Sequence, residues 1–454
     1  MNRTVVLDVV GLTAPMLEGG AMPRLAGFVR EACGGAVTRV RPAFPAVTCT
    51  AQATYLTGQT PGVHGIVGNG WFNRDLCEVH FWKQSEQLIG GSKLWDRLRE
   101  GTPGFTCAKL FWWYNMGSSA DFSITPRPLY AADGSKVFDI HTQPLDLRPA
   151  IKSALGDFPF PGFWGPMAGI ASSEWIAASA RWIEERHSPS LSLVYLPHLD
   201  YNLQRLGPGD AQIATDLAAI DGVAGGLIDF YRARDVRVAV LSEYGIEPVD
   251  RPVHLNRLLR RRGWVAIKDE LGRETLEVFS SRAFVVADHQ IAHVYVRDAA
   301  ILEAVREAIA AEPGVAEVLG REEQSARGLW HARSGDLLAV AARGAWFTYY
   351  FWEEDAKAPD YARTVDIHRK PGYDPVELFL DPTIRFPGLA ITSRLARRKL
   401  GMRALMDVIP LDATLVKGSH GRVSGNPEDW PVFAVEGGVG SGDRMEATDV
   451  AGRL

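Results

Sequence analysis

The chain has 454 residues, 46% of them hydrophobic and 23% charged, which suits a globular protein with a large core and room for an inserted subdomain. A formal net charge of -5 gives no reason to expect a nucleic-acid polymer as partner. The four cysteines, Cys33, Cys49, Cys77 and Cys107, form no CxxC pair, and no run of about eighteen uncharged apolar residues exists, so reduced thiols, a cytoplasmic protein and no membrane partner are expected.

Arg3 to Asp8 is β-branched and apolar and ends in a carboxylate, which predicts a buried strand entered with no leader-like segment before it. Ala21 to Cys33 predicts an amphipathic helix closed by Gly34-Gly35, and Ala36 to Val40 a second strand. Helices are predicted over Ser173 to Arg186 and Asp210 to Arg232, with strands at Leu191 to Leu196 and Val236 to Leu241. This alternation predicts an α/β fold with a mostly parallel sheet covered on both faces. In such sheets ligands gather at the carboxyl ends of strands, and Asp8, Asp200 and Glu243 each fall at or just after one. From Ala283 the pattern changes to strands at Ala292 to Val296, Val315 to Leu319 and Asp336 to Ala341 around a helix at Ala299 to Ala311. The expected organisation is therefore a core over 1–282, an inserted α+β cap over 283–345, a return to the core over 346–434, and a Gly-rich, acidic, disordered tail over 435–454.

Phe44 to Asn69, FPAVTCTAQATYLTGQTPGVHGIVGN, is a Thr/Gly/Pro-rich run leading into a short helix that begins near Thr48. A hydroxyl there sits among free backbone N–H groups, which favour an anion and an alkoxide; a plain capping threonine would look the same. The whole segment resembles the nucleophile segment of the type I phosphodiesterase/nucleotide pyrophosphatase branch of the alkaline phosphatase superfamily. Phe44-Pro45, Thr48, Thr57-Gly58, Pro61, His64-Gly65-Ile66 and Asn69 carry the likeness.

That resemblance implies an alkaline phosphatase-like three-layer α/β sandwich with an inserted α+β cap. It also implies hydrolysis of a phosphodiester, pyrophosphate or related phosphorus bond through a phospho-threonine at Thr48. Asn69 would then steady a non-bridging oxygen, and one or two divalent ions, zinc in the family, would be held by Asp8, Thr48 and further ligands. The substrate would be a small phosphorylated or phosphonate compound.

Three more segments extend the likeness and qualify it. In Leu196 to Pro208, Asp200 and Gly207-Pro208 match, but Gln204 stands where the family has a histidine. In Val238 to Ile246, Ser242 and Gly245 match, while the family's Asp-His ligand pair is Glu243-Tyr244. His420, in Lys417 to Gly421, matches the family's late histidine ligand. The implied metal set is thus Asp8, Thr48, Glu243 and Tyr244 for one ion and Asp200, Gln204 and His420 for the other. His254 or His198 are candidate replacements for the missing imidazoles. Losing two imidazoles favours a harder ion such as manganese or magnesium.

Three segments stay open on the residues alone. Leu110 to Asn115 is an aromatic pocket wall or a core strand, Asp288 to His293 faces the metals or ends a strand, and Asp366 to Asp374 holds a substrate anion or lies in solvent. The competing functions are phosphonoacetate hydrolase-like C–P cleavage with the same threonine, and a catalytically reduced descendant that binds a phosphorylated metabolite.

Overall fold

Thr4–Val9 is buried along its whole length, because a β-branched run can be covered on both faces only inside a sheet flanked by other strands. A computed structural model describes residues 3–35, 37–132, 136–438 and 444–454. In chain order the strands used below are β1 (Thr4–Val9), β2 (Thr38–Arg41), β3 (Cys107–Leu110), β4 (Phe122–Pro126), β5 (Ile140–Gln143), β6 (Leu191–Leu196) and β7 (Arg237–Leu241). They continue with β8 (Ala283–Asp288), β9 (Ile291–Val296), β10 (Val315–Leu319), β11 (Leu337–Ala341), β12 (Val432–Val435) and β13 (Arg444–Glu446). The helices are α1 (Pro23–Ala32), α2 (Thr48–Thr57), α3 (Ile170–His187), α4 (His198–Leu206), α5 (Ile213–Arg232) and α6 (Pro387–Lys399).

The main sheet has nine strands in the order β13-β2-β12-β7-β1-β6-β3-β4-β5. The run β7-β1-β6-β3-β4 is parallel, and β12 and β5 join it antiparallel. Asp8 of β1 is in register with Tyr195 of β6 and Leu241 of β7. Residues just past the ends of β6 and β7 therefore flank Asp8 at one edge of the sheet. The α/β architecture with a large, mostly parallel sheet is as the sequence predicts.

α3 and α1 both pack against α5, and all three cover the sheet. A separate antiparallel sheet, β8-β9-β11-β10, spans residues 283–341 and has its own apolar core. Helix α2 is shared between the two cores: Ala51, Tyr55 and Leu56 pack into the first, Cys49 and Ala53 into the second. Every residue of α2 is buried.

The tail needs correction. Residues 439–443 lie outside the described residues, but β13 pairs with β2 and the 3-10 turn Ala447–Gly452 packs against α2 with Ala447, Val450 and Ala451 buried. Gly-rich composition hid three apolar contacts that suffice to order the segment. By contrast, α6 buries none of its residues, and Leu389, Leu395 and Leu400 are exposed beside Arg397, Arg398 and Lys399. Among the described residues no helix is long and apolar enough to cross a membrane.

Candidate active site

Thr48 is the first residue of α2, preceded by an extended Val47. That turn aims its hydroxyl out of the helix toward the carboxyl ends of β1, β6 and β7. There Thr48 Oγ1 lies 3.0 Å from the Tyr244 hydroxyl, which in turn donates to Asp200 Oδ1 at 3.2 Å. Threonine, tyrosine and aspartate thus form one hydrogen-bonded line across the site.

Asp8 and Glu243 lie on the other side of Thr48, both fully buried. Gln52, one helical turn after Thr48 and on the same face of α2, donates from Nε2 to Glu243 Oε1 at 2.6 Å and accepts the Trp113 N–H at 2.8 Å. Both oxygens of Asp8 and Glu243 Oε2 are buried without a hydrogen-bond partner. Burial pushes the Asp8 carboxyl up to about 7; burial and then the Asp8 charge push Glu243 well above the carboxylate range. Two adjacent carboxylates with orphaned oxygens must either keep protons or hold a cation. Among the described residues no group of three or more His, Cys, Asp or Glu side chains converges on a metal position. The pair Asp8–Glu243 with the Thr48 hydroxyl nevertheless offers a donor set that fits one hard cation completed by water and substrate.

Asn69 is held at both ends of its side chain. Its Oδ1 accepts the Cys49 N–H at 3.0 Å, and its Nδ2 donates to Asp288 Oδ1 at 3.1 Å. Asp288 also accepts the Asn69 backbone N–H at 2.7 Å. Asn69 is thereby locked beside the first turn of α2, with one of its two amide hydrogens left over. Asp288 ends β8, and the β8–β9 hairpin tip carries His289 at φ +62°, a region bulky residues avoid.

The tip drives His289 into a stack of four rings. Tyr244 lies on His420 with centroids 3.6 Å apart, His420 on His289 at 3.8 Å, and His289 on Tyr373 at 3.6 Å. Burial holds both imidazoles neutral, well below their ordinary pKa. Gln204 closes the back of the stack: its Nε2 donates to Asp200 Oδ2 at 2.7 Å and its Oε1 accepts the Tyr373 hydroxyl at 3.1 Å. Burial raises the Asp200 carboxyl to about 7, a shift that the Gln204 and Tyr244 bonds moderate.

Outward from Thr48 a narrow cleft opens, lined by Asp200, Tyr244, His289 and His420 at its floor and by Trp82, Trp113, Trp164 and Tyr373 on its wall. Trp82 packs on Trp113 at 4.7 Å and edge-on to Tyr373 at 6.1 Å. Behind that wall Lys370 is buried and paired with Asp374 at 2.6 Å and Glu377 at 2.7 Å, and Glu377 accepts the Trp164 indole N–H.

The structure therefore gathers Asp8, Thr48, Asn69, Asp200, Glu243 and His420 at one place. It does not bring His254 there. That residue sits before the helix Leu255–Arg261, bonds Thr348 Oγ1 through Nδ1 at 2.7 Å and stacks on Tyr350 at 5.7 Å, so packing and a satisfied ring nitrogen account for it. His198 lies 3.3 Å from Asp216 of α5 and is not among the residues that line the cleft. Of the open segments, Trp113 walls the cleft, Asp288 and His289 face the site, and Lys370 is committed to Asp374 and Glu377 rather than to a ligand. Gln52 carries no assignment from sequence, its spacing of four from Thr48 on a helix being the readable signal, while Asp288, His289 and Tyr373 fall in segments that the sequence left open between two readings.

Solved structures with this fold include murine ectonucleotide pyrophosphatase/phosphodiesterase 5, at 14% identity and TM-score 0.59 over 99% of this chain and 93% of that one. Phosphonoacetate hydrolase from Sinorhizobium meliloti superposes at 14% identity and TM-score 0.62 over 99% and 94%. The mixed α/β fold with its large, mostly parallel sheet is the one these structures share with this chain. The type I phosphodiesterase/nucleotide pyrophosphatase family matches residues 4–374, and the chain belongs to it. An uncharacterized pyrophosphatase/phosphodiesterase of Schizosaccharomyces pombe is 23% identical over 283 residues, 58% of this chain and 50% of that protein. The match thus spans half the length of that curated relative.

Proposed function

We propose that the chain hydrolyses a phosphodiester or pyrophosphate bond with Thr48 Oγ1 as the attacking atom. One observation carries this reading: Thr48 opens a fully buried ten-residue helix, faces the cleft and is hydrogen-bonded into the Tyr244–Asp200 line. As Oγ1 bonds to phosphorus, its proton passes to the Tyr244 oxygen and the tyrosine proton to Asp200 Oδ1, while the P–O bond to the leaving group breaks. Water then attacks the phospho-threonine and gives up a proton to bulk water, which also protonates the departed leaving group, while the bond to Oγ1 breaks and the proton held on Asp200 returns to Oγ1 through Tyr244. Asn69, locked by Asp288 and the Cys49 N–H, presents its remaining amide hydrogen to a non-bridging oxygen. A divalent cation at Asp8, Glu243 and Thr48 would supply positive charge opposite the transferring group. Residues 283–345 serve as the cap whose hairpin tip, at Asp288-His289, shapes the site.

The cleft wall of Trp82, Trp113, Trp164 and Tyr373 favours a substrate with a flat or apolar substituent on phosphorus. The test is hydrolysis of bis-p-nitrophenyl phosphate by purified protein with manganese, magnesium or zinc, beside Thr48→Ala and with phosphonoacetate as a second substrate. The expected result is cation-dependent ester turnover that falls by about 10⁴-fold or more in Thr48→Ala. Turnover of phosphonoacetate alone assigns C–P cleavage with the same threonine. Silence on both substrates with every cation, together with no bound metal by elemental analysis, favours a binder of phosphorylated metabolites.

A further inference from the structure

The resemblance implies two cations, and the donors in this chain divide unequally between the two positions. The first position draws on three residues, Asp8, Glu243 and Thr48, with three carboxylate oxygens unpartnered. The second has almost nothing left to give. Asp200 spends Oδ2 on the Gln204 amide and Oδ1 on the Tyr244 hydroxyl. Gln204 turns its nitrogen, which has no lone pair to donate, toward Asp200, and commits its oxygen to Tyr373. His420 bonds the Ala46 carbonyl oxygen through Nδ1 at 2.8 Å, and only Nε2 remains, 3.8 Å from Asp200. Tyr244, which the resemblance sets with the first ion, instead turns its hydroxyl to Asp200 Oδ1 at 3.2 Å, and the four-ring stack packs beside it.

We propose that this centre holds one divalent cation, at Asp8, Glu243 and Thr48, and that the Tyr244 hydroxyl, bridging Thr48 and Asp200, stands in the place of a second. Charge supports the division. The Asp8–Glu243 pair offers two negative charges to one divalent ion, whereas Asp200 is served by two neutral donors and has no need of a cation. The donor set also selects the ion. Three oxygens and no nitrogen or sulfur suit magnesium or manganese and give zinc little advantage. A hydroxyl hydrogen bond replaces the charge that a second ion would place beside the incoming water, so the centre relies on Tyr244 as a proton carrier where a di-metal centre relies on a metal.

This deepens the proposed function, yet its test reads binding without turnover, so either can fail alone. Chelator-stripped protein is dialysed to equilibrium against manganese, the bound ion is counted per chain, and its electron paramagnetic resonance spectrum is recorded. The expected count is one, lost in Asp8→Asn, with a spectrum free of Mn–Mn coupling, which two ions ~3.5–4 Å apart would show. In Gln204→His/Tyr244→His the expected count rises to two with zinc. Two ions per wild-type chain, or none, overturns the proposal, as does a count that Asp8→Asn leaves unchanged. A double variant that retains the wild-type circular dichroism and still binds one ion overturns the assignment to Tyr244 and Gln204. Should the double variant fail to fold, the wild-type and Asp8→Asn counts decide.

Discussion

His64 illustrates how a single buried side chain in the segment after Thr48 sets a condition on the whole. Its Nδ1 accepts the Ile66 N–H at 3.1 Å and its Nε2 meets Thr54 Oγ1 at 3.1 Å, tying the loop after α2 back onto the helix. Burial lowers its pKa to about 3. The folded value lies below the unfolded 6.5, so the stability that His64 contributes is complete above pH 6.5 and is lost as pH falls toward 3. Urea unfolding between pH 4 and 6.5 should show a His64→Gln variant losing about 1.4 kcal/mol less per pH unit than the parent. At this scale the sequence was legible where chemistry depends on spacing within one segment. Thr48, Asn69, Asp200, Glu243 and His420 are gathered as their segments suggest. Asp288, His289 and Tyr373 reach the site from hairpins and loops distant in sequence, so their segments stand out by residue type but leave a site role and a solvent or strand-end role equally open. His254 misled because a histidine near a strand end offers a ligand on paper, while in the fold its nitrogen already serves Thr348.

At the scale of elements, the cleft wall depends on a buried ionic knot. Lys370, Asp374 and Glu377 are together all but inaccessible, and Glu377 holds the Trp164 indole while Tyr373 adjoins Asp374 in sequence. Lys370→Met leaves two buried carboxylates unpaired and should cost about 3–5 kcal/mol in urea unfolding. Because the wall also shifts, KM for an aryl phosphodiester should rise more than kcat falls, whereas a residue acting on chemistry would lower kcat. Long periodic elements were readable: β6 and β10 fall at the expected residues, and α1, α3 and α5 within a few. β5, with the sequence Ile-His-Thr-Gln, and β13, Arg-Met-Glu, have no apolar run, and their pairing partners alone make them strands.

At the scale of the molecule, two surfaces differ in how firmly they belong to it. α6 projects with Arg397, Arg398 and Lys399 exposed and no buried residue, so limited trypsin should cut there first and leave two fragments that stay associated on gel filtration. The segment after residue 443 behaves in the opposite way. Deleting residues 444–454 removes β13 from β2 and the turn that packs on α2, and should lower the melting temperature and phosphodiesterase turnover together. This second surface has a consequence for how the protein comes into being. Among the described residues β2 pairs with β12 and β13, so this strand waits for partners synthesised some 390 residues later. At ribosomal rates of about 5–20 residues per second, that is tens of seconds during which α2 lacks its cover. A ribosome that stalls anywhere before residue 430 therefore leaves behind an exposed sheet edge rather than a slow enzyme, and the cell's chaperones, rather than its substrates, are the first to meet this active site.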